Sequence, residues 1–354
     1  MYNIGKRCMG KRVLTTKGAV MKNLVMQFCS NIPNSVTEFD DKNHLGTVKF
    51  IDGNGKQNGS ILFYLIDTGF VFDKFAFSAN EDFDLSSDSG MFSNISLERV
   101  KITYCAKGRC ETTTPNNRQH YISGGEISIN CNHPSKAIRI FGGDFEGFQF
   151  YIFLNSKWLS KMKDFNDSES APEKLFHVYK DRNEPRIIKA DRKMNEIAKE
   201  IMEYADESKF DMISVKAMEL SILIANNGAD ASSLERKYYT NTQMEIARKT
   251  RDILCEDLSV RYSAKELAQR FGISETSLKS YFRGYVGGGY HEYQNNVRME
   301  KAAELLANTT LKVLEISLKV GFRSQTKFGI CFKKYYGVNP LEYRRKTKLT
   351  FNQE

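Results

Sequence analysis

Residues 263–293 can be laid over residues 313–343, and this duplication constrains the fold more than any other feature of the 354-residue chain. At an offset of 49, Glu266 falls on Glu315, Leu267 on Ile316, Arg270 on Lys319 and Gly272 on Gly321. Past the glycine the offset becomes 50: Ser274 falls on Ser324, Thr276 on Thr326, Leu278 on Phe328, Phe282 on Phe332, Gly287 on Gly337 and Tyr293 on Tyr343. The single-residue change sits in a turn, where insertions are best tolerated, and so many matches mark a repeated structural unit.

Each unit is written as helix, turn, helix. Ser263 and Glu266 form a capping box, and Leu267, Ala268 and Phe271 supply an inner face. Gly272 ends that helix, where a left-handed backbone relieves a sharp turn. Ser274 caps a second helix with Leu278, Tyr281 and Phe282 inward. The second unit repeats this with Val313–Val320, the turn at Gly321, Ser324 as cap, and Phe328, Cys331 and Phe332 inward. Ala268 and Ser317 are small where the paired helices cross. Between the units, Tyr290–Ala307 reads as one uninterrupted helix, about 27 Å long at the standard rise. In such motifs the second helix enters the DNA major groove, and two of them on one face suit grooves ~34 Å apart.

The charge is placed to match. Asn241–Glu354 hold 20 Lys+Arg and 12 Asp+Glu, a net of +8 out of +9 for the whole chain. That leaves 32 Lys+Arg and 31 Asp+Glu, a net of +1, for residues 1–240. A basic domain beside a neutral one fits a polyanion-binding module joined to something else.

Glu266-Leu267-Ala268, Phe271-Gly272-Ile273-Ser274, Arg298-Met299, Ala302–Leu306, Glu315-Ile316, Val320-Gly321-Phe322 and Gly337-Val338-Asn339-Pro340 running to Tyr343-Arg344 together resemble the DNA-binding domain of AraC/XylS-type transcription regulators. The resemblance covers nearly a third of the chain. It implies a variable N-terminal domain, often a cupin-like β barrel followed by helices, that senses an effector or dimerises. It also implies that Thr276, Lys279 and Ser280 reach base edges. Lys279 suits guanine O6/N7 and Thr276 a thymine methyl, whereas Glu275 suits the helix dipole. On the second helix Gln325 and Thr326 are the base-contact candidates, while Gly329 and Ile330 stand where many relatives carry polar or basic residues. The second unit is therefore expected to contribute mainly backbone contact. Arg261, Arg283, Lys312, Arg323, Lys333, Lys334 and Arg344 are the phosphate candidates.

From Gly46 to Leu154 the chain alternates short Ile-, Val-, Tyr- and Phe-rich runs with Gly, Asn and Asp clusters. The runs Thr47–Ile51, Ile61–Ile66, Val100–Cys105, Glu126–Ile129, Ala137–Phe141 and Phe148–Phe153 read as strands of a small barrel or sandwich. Its aromatics, among them Phe63, Phe72, Tyr104, Phe148 and Tyr151, read mostly as core and name no ligand site. Met194–Tyr204 and Met212–Asn226 have helical spacing and form a hairpin that must pack on the barrel or on a second chain. The fold class expected is α+β and multidomain: a cupin-like β barrel with a helical hairpin, then an all-α domain of two helix-turn-helix units joined by a long helix. The boundaries are 1–23 for an N-terminal extension (Met21 opening a more regular segment) and 24–180 for the β-rich domain. The hairpin takes 181–227, a linker 228–240, the DNA-binding domain 241–346, and a tail 347–354.

Several classes fall away. No run of eighteen apolar residues exists to span a membrane. The seven cysteines show no CxxC or zinc-type spacing and read as reduced thiols in a cytoplasmic protein, although Cys105 and Cys110 are placed to be strand neighbours. Five scattered histidines give no HxH or HExxH cluster, so no metal, cofactor or catalytic residue is assigned. The expected function is sequence-specific transcription regulation, by family tendency activation. Its expected partners are double-stranded DNA, RNA polymerase, a small-molecule effector and a second copy of the chain. The rivals are a ligand-independent regulator controlled by protein contact, and a cupin-like enzyme fused to a DNA-binding domain.

Overall fold

The computed structural model describes residues 35–351, apart from 41–43, 52–54, 67–68, 80–82, 86–97, 115, 132–136, 141–142, 164–168, 183 and 228–238. The expected N-terminal extension, most of the linker and the end of the tail lie outside the described residues. The chain forms two compact units, residues 1–238 and 239–354.

Among its described residues the first unit has twelve strands: β1 (Ser35–Asp40), β2 (Leu45–Ile51), β3 (Gln57–Ile66), β4 (Phe70–Ala79), β5 (Phe83–Leu85), β6 (Arg99–Lys107), β7 (Arg109–Thr113), β8 (Arg118–Ser123), β9 (Glu126–Cys131), β10 (Ala137–Ile140), β11 (Gly143–Phe153) and, after two helices, β12 (Arg186–Lys189). One antiparallel sheet runs β1-β2-β3-β4-β11-β6-β9-β12, and a second runs β8-β7-β10-β5. The expected cupin-like barrel is not closed: among the described residues β1 and β12 each pair on one side only. Corners carry the chain between sheets. Gly108, at φ 80°, leads from β6 into β7, where a Cβ would lie 2.1 Å from the Asp144 carbonyl oxygen.

At its centre the first sheet buries both faces, at Phe70–Asp73 of β4 and Phe150–Phe153 of β11. Val71, Phe75, Cys105, Tyr151 and Phe153 meet Cys110, Ile122 and Ile140 of the second sheet. The alternate residues Phe72, Ile102, Phe148 and Phe150 meet helices on the other side. Those helices are α1 (Lys157–Lys163), α2 (Ala171–Tyr179), α3 (Arg192–Asp206) and α4 (Phe210–Asn227). Asp191 starts α3 by accepting from the Met194 N–H at 2.8 Å. Ile197 and Ile201 of α3 and Leu220 and Ile224 of α4 are buried against the sheet, so the hairpin packs on its own domain. Ile222 of α4 is exposed. The segment 181–227 is also not helical throughout, because β12 pairs with β9 before α3 begins. Cys105, Cys110 and Cys131 are buried free thiols, and burial pushes the Cys110 and Cys131 thiols up to about 12.

The described residues of the second unit form seven helices: α5 (Asn241–Glu256), α6 (Ala264–Arg270), α7 (Glu275–Val286), α8 (Tyr290–Asn308), α9 (Val313–Lys319), α10 (Gln325–Tyr336) and α11 (Pro340–Phe351). It has two separate cores. Leu254, Leu267, Leu278, Phe282 and Tyr290 form one, and Met299, Leu306, Ile316, Phe328 and Phe332 the other. Among the described residues, helix α8 is the only element that contributes to both.

Candidate nucleic-acid interface

The sequence offset reappears in the geometry. Helices α6 and α9 start and end 49 residues apart, and α7 and α10 start and end 50 apart. The extra residue is taken up between Gly321 and Ser324. The turns match bond for bond: the Ile273 N–H donates to Ala268 at 3.0 Å, and the Phe322 N–H to Ser317 at 2.8 Å. Gly272 (φ 65°) and Gly321 (φ 77°) occupy the left-handed region, as do Gly287 (φ 82°) and Gly337 (φ 76°) at the ends of α7 and α10.

The caps are equally paired. The Ser274 hydroxyl accepts from the Ser277 N–H at 3.0 Å and that of Ser324 from the Lys327 N–H at 3.4 Å. Ser263 and Glu266 form the expected capping box. At the start of α9, Lys312 stands where Ser263 does, so only the Glu315 half survives, accepting from the Lys312 N–H at 2.6 Å. Replacing Ser274 or Ser324 with Ala removes a cap from an exposed helix start. Each change is expected to lower stability by about 1 kcal/mol, and chemical denaturation followed by circular dichroism would read the loss. An unchanged midpoint for both would contradict the capping role.

Both second helices present a polar exposed face. On α7, Thr276, Lys279 and Arg283 are exposed at helical intervals, while Ser280 is only half-buried. The reason is Tyr239, whose hydroxyl donates to the Ser280 carbonyl at 3.2 Å and whose ring occupies the space a Cβ at Gly284 would fill. Lys279 pairs with Glu275 at 2.6 Å and holds that carboxyl below its ordinary range. Both partners are about half exposed, so the pair is weak and readily exchanged for another acceptor. On α10, Gln325, Thr326, Ile330, Lys333 and Lys334 are exposed, and Arg323 precedes the helix. Ile330, at 67% exposure, is the most open large apolar side chain among the described residues.

Two phosphate candidates have other work. Arg261 donates through Nε to the Gly321 carbonyl at 2.8 Å and lies over the Phe322 ring at 4.8 Å. Arg344 donates to the carbonyls of Leu306 at 3.3 Å and Leu311 at 2.6 Å. The second contact is the repeat of Gln294 donating to Tyr262 at 3.3 Å in the first unit. Through these bonds the Arg261 and Arg344 guanidinium groups hold the domain's own loops. Arg298 belongs to the motif Arg298-Met299, to which the sequence assigns no role. It is 1% exposed, and it donates to Leu258 at 3.1 Å and Val260 at 2.8 Å. Its signal is a charged residue at i+4 from Gln294 on the inward face of α8.

No cluster of His, Cys, Asp or Glu suited to a metal is found among the described residues, and no described helix is long and apolar enough to cross a membrane.

A family profile described as a helix-turn-helix domain matches residues 267–346. The chain is 42% identical over 73 residues to the HTH-type transcriptional regulator MtrA of Neisseria gonorrhoeae, covering 21% of this chain and 24% of that one. It is 39% identical over 88 residues to the HTH-type transcriptional activator AarP of Providencia stuartii, covering 25% and 65%. With the HTH-type transcriptional activator RhaR of Enterobacter sp. (strain 638) it shares 24% identity over 203 residues, covering 55% and 65%. In each case the chain spans less than two thirds of the relative's length. Matching caps, turns and offsets agree with these similarities, and residues 267–346 form a helix-turn-helix domain of AraC type.

Proposed function

We propose that the chain is a sequence-specific DNA-binding transcription regulator, an activator, that is not an enzyme and works in the cytoplasm. The observation that carries this reading is the repetition, at a constant offset of 50, of a capped and solvent-exposed second helix with Thr276, Lys279 and Arg283 on one copy and Thr326 and Lys333 on the other. A solvated surface helix has no need of such repetition. Two copies held by one long helix suit two successive major grooves.

In this reading Thr276 and Lys279 read bases in one half-site, with Ser280 at the margin beside Tyr239. Gln325 and Thr326 read the other, where Ile330 offers only an apolar surface. Arg283, Lys312, Arg323, Lys333 and Lys334 take phosphates, each adding roughly 0.9 to the log–log salt slope. Lys279 leaves Glu275 for a guanine edge. Lys279→Ala is expected to cost about 1–3 kcal/mol at the preferred site while affecting non-specific duplex much less. Competition gel shifts across base-substituted duplexes would measure this. An unchanged site preference would remove Lys279 from the reading set.

The N-terminal unit, in an open two-sheet relative of the cupin-like barrel, is proposed to sense a small-molecule effector or a protein partner. It acts by binding one state of the chain better than another, since equal affinity shifts nothing. Homodimerisation and contact with RNA polymerase complete the proposal. Similarity to proteins named transcriptional activators supports the activator reading.

A further inference from the structure

We infer that Arg298, with Arg261 and Gly321, forms a polar joint that fixes the spacing and tilt of α7 relative to α10, and thereby the half-site spacing the domain accepts. The inference rests on the DNA-binding reading for its consequence, though not for its geometry.

The two units of the repeat share no apolar core. Tyr290 and Tyr293 of α8 belong to the first cluster, and Met299 to Leu306 belong to the second. Between these stretches the inward face of α8 is polar, with Gln294 and Arg298 both buried. A single helix joining two cores leaves them able to bend and twist about its axis. What opposes this is the loop 257–262 that joins α5 to α6 in the first unit.

That loop is held from two sides. Its carbonyls at Leu258 and Val260 accept from Arg298 at 3.1 and 2.8 Å, and its carbonyl at Tyr262 accepts from the Tyr290 hydroxyl at 3.0 Å. From the same loop Arg261 crosses to the second unit, donating to Gly321 and covering Phe322. The Gly321 turn presses directly on it, for a Cβ there would lie 2.4 Å from the Leu258 oxygen and 3.2 Å from Arg298 Nε.

The duplication supplies an internal control. At the matching turn in the first unit, a Cβ on Gly272 would meet nothing within 4 Å. The second-unit residue equivalent to Arg261 is Thr310. The joint therefore exists once, at the seam, and is no part of the repeated fold. Burying a guanidinium is a poor way to gain stability, and Nη1 lacks a hydrogen-bond partner. Directional donors aimed at two carbonyls do, however, select one geometry over its neighbours. Arg298 is thus a positioning residue: it touches no base and acts through the helices it aligns.

The test uses the full chain and a duplex that the wild type selects, with variants carrying one base pair inserted or deleted between the half-sites. Arg298→Met keeps the volume and removes the donors, and Arg261→Ala breaks the exposed half of the joint without opening the core. Both are expected to bind the natural spacing about tenfold more weakly and to lose most of the spacing penalty, with base preferences inside each half-site unchanged. Equal weakening at every spacing, or an intact spacing penalty, would overturn the inference. Spin labels on keto amino acids at positions 279 and 333 give an arm free of DNA: a narrow distance distribution in the wild type should broaden in both variants. Distributions as narrow as the wild type would also overturn it. Absence of any selected duplex would fail the DNA-binding reading alone, and the label distances would still decide the joint.

Discussion

Gly321→Ala should destabilise the second unit by about 2–5 kcal/mol, whereas Gly272→Ala, at the same place in the first repeat, should cost only about 1–2 kcal/mol. Both glycines have left-handed backbones, at φ 77° and 65°, so each variant bears the conformational penalty of an L-residue there. Only Gly321 adds a collision, with the backbone oxygen of Leu258 at 2.4 Å. A carbonyl in a loop clasped by Arg298 cannot retreat as a flexible side chain would, so overpacking contributes about 1–3 kcal/mol more. Trp158, the one tryptophan of the chain, lies in the first unit and is blind to this change. Hydrogen exchange in α8–α10 is therefore the measurement of choice. Equal losses at the two glycines would mean that the seam is looser than its distances indicate.

Asp73→Asn should stabilise the first unit at pH 8 and change little near pH 4. Asp73 lies on β4 with 1% of its surface exposed, and burial pushes its carboxyl up to about 7 against the pull of Gln149 and Lys101. In the unfolded chain the same group titrates near 3.9. Below that value both states are protonated and the site is neutral. As pH rises from about 4 to about 7, the unfolded chain releases the proton while the folded chain retains it, so stability falls and then levels off. The full span is on the order of 4 kcal/mol. Asn keeps the shape and removes the titration, so the variant should show a flatter dependence across this window. Trp158 fluorescence during denaturation reports the correct unit. Parallel curves for wild type and variant would place the pH dependence elsewhere.

What was legible in the sequence was local. Caps, turn glycines and the spacing of inward residues depend on neighbours within a turn or two, so the repeat and its elements were readable residue by residue. Strand β4 escapes the sequence pattern because Phe70–Asp73 are buried on both faces and Asp73 and Lys74 interrupt the apolar run. Strand β12 was missed because four residues inside helical texture carry too little pattern. Sheet closure depends on register between distant strands, so the barrel and the open double sheet look alike in sequence. The same holds for arginines: phosphate and backbone carbonyl both accept from a guanidinium, and only the fold shows that Arg261 and Arg344 hold loops of their own domain. Equivalence between Gly272 and Gly321 also ends at the fold, where one turn faces open space and the other faces a loop.

The most direct test of two-groove recognition is hydroxyl-radical footprinting of the full chain on a duplex enriched by that chain from a random-sequence pool. Two protected patches on one face of the duplex, about one helical turn apart and each sensitive to base substitution, are the predicted result. Failure to enrich any sequence, or a single protected patch insensitive to changes one turn away, would contradict it.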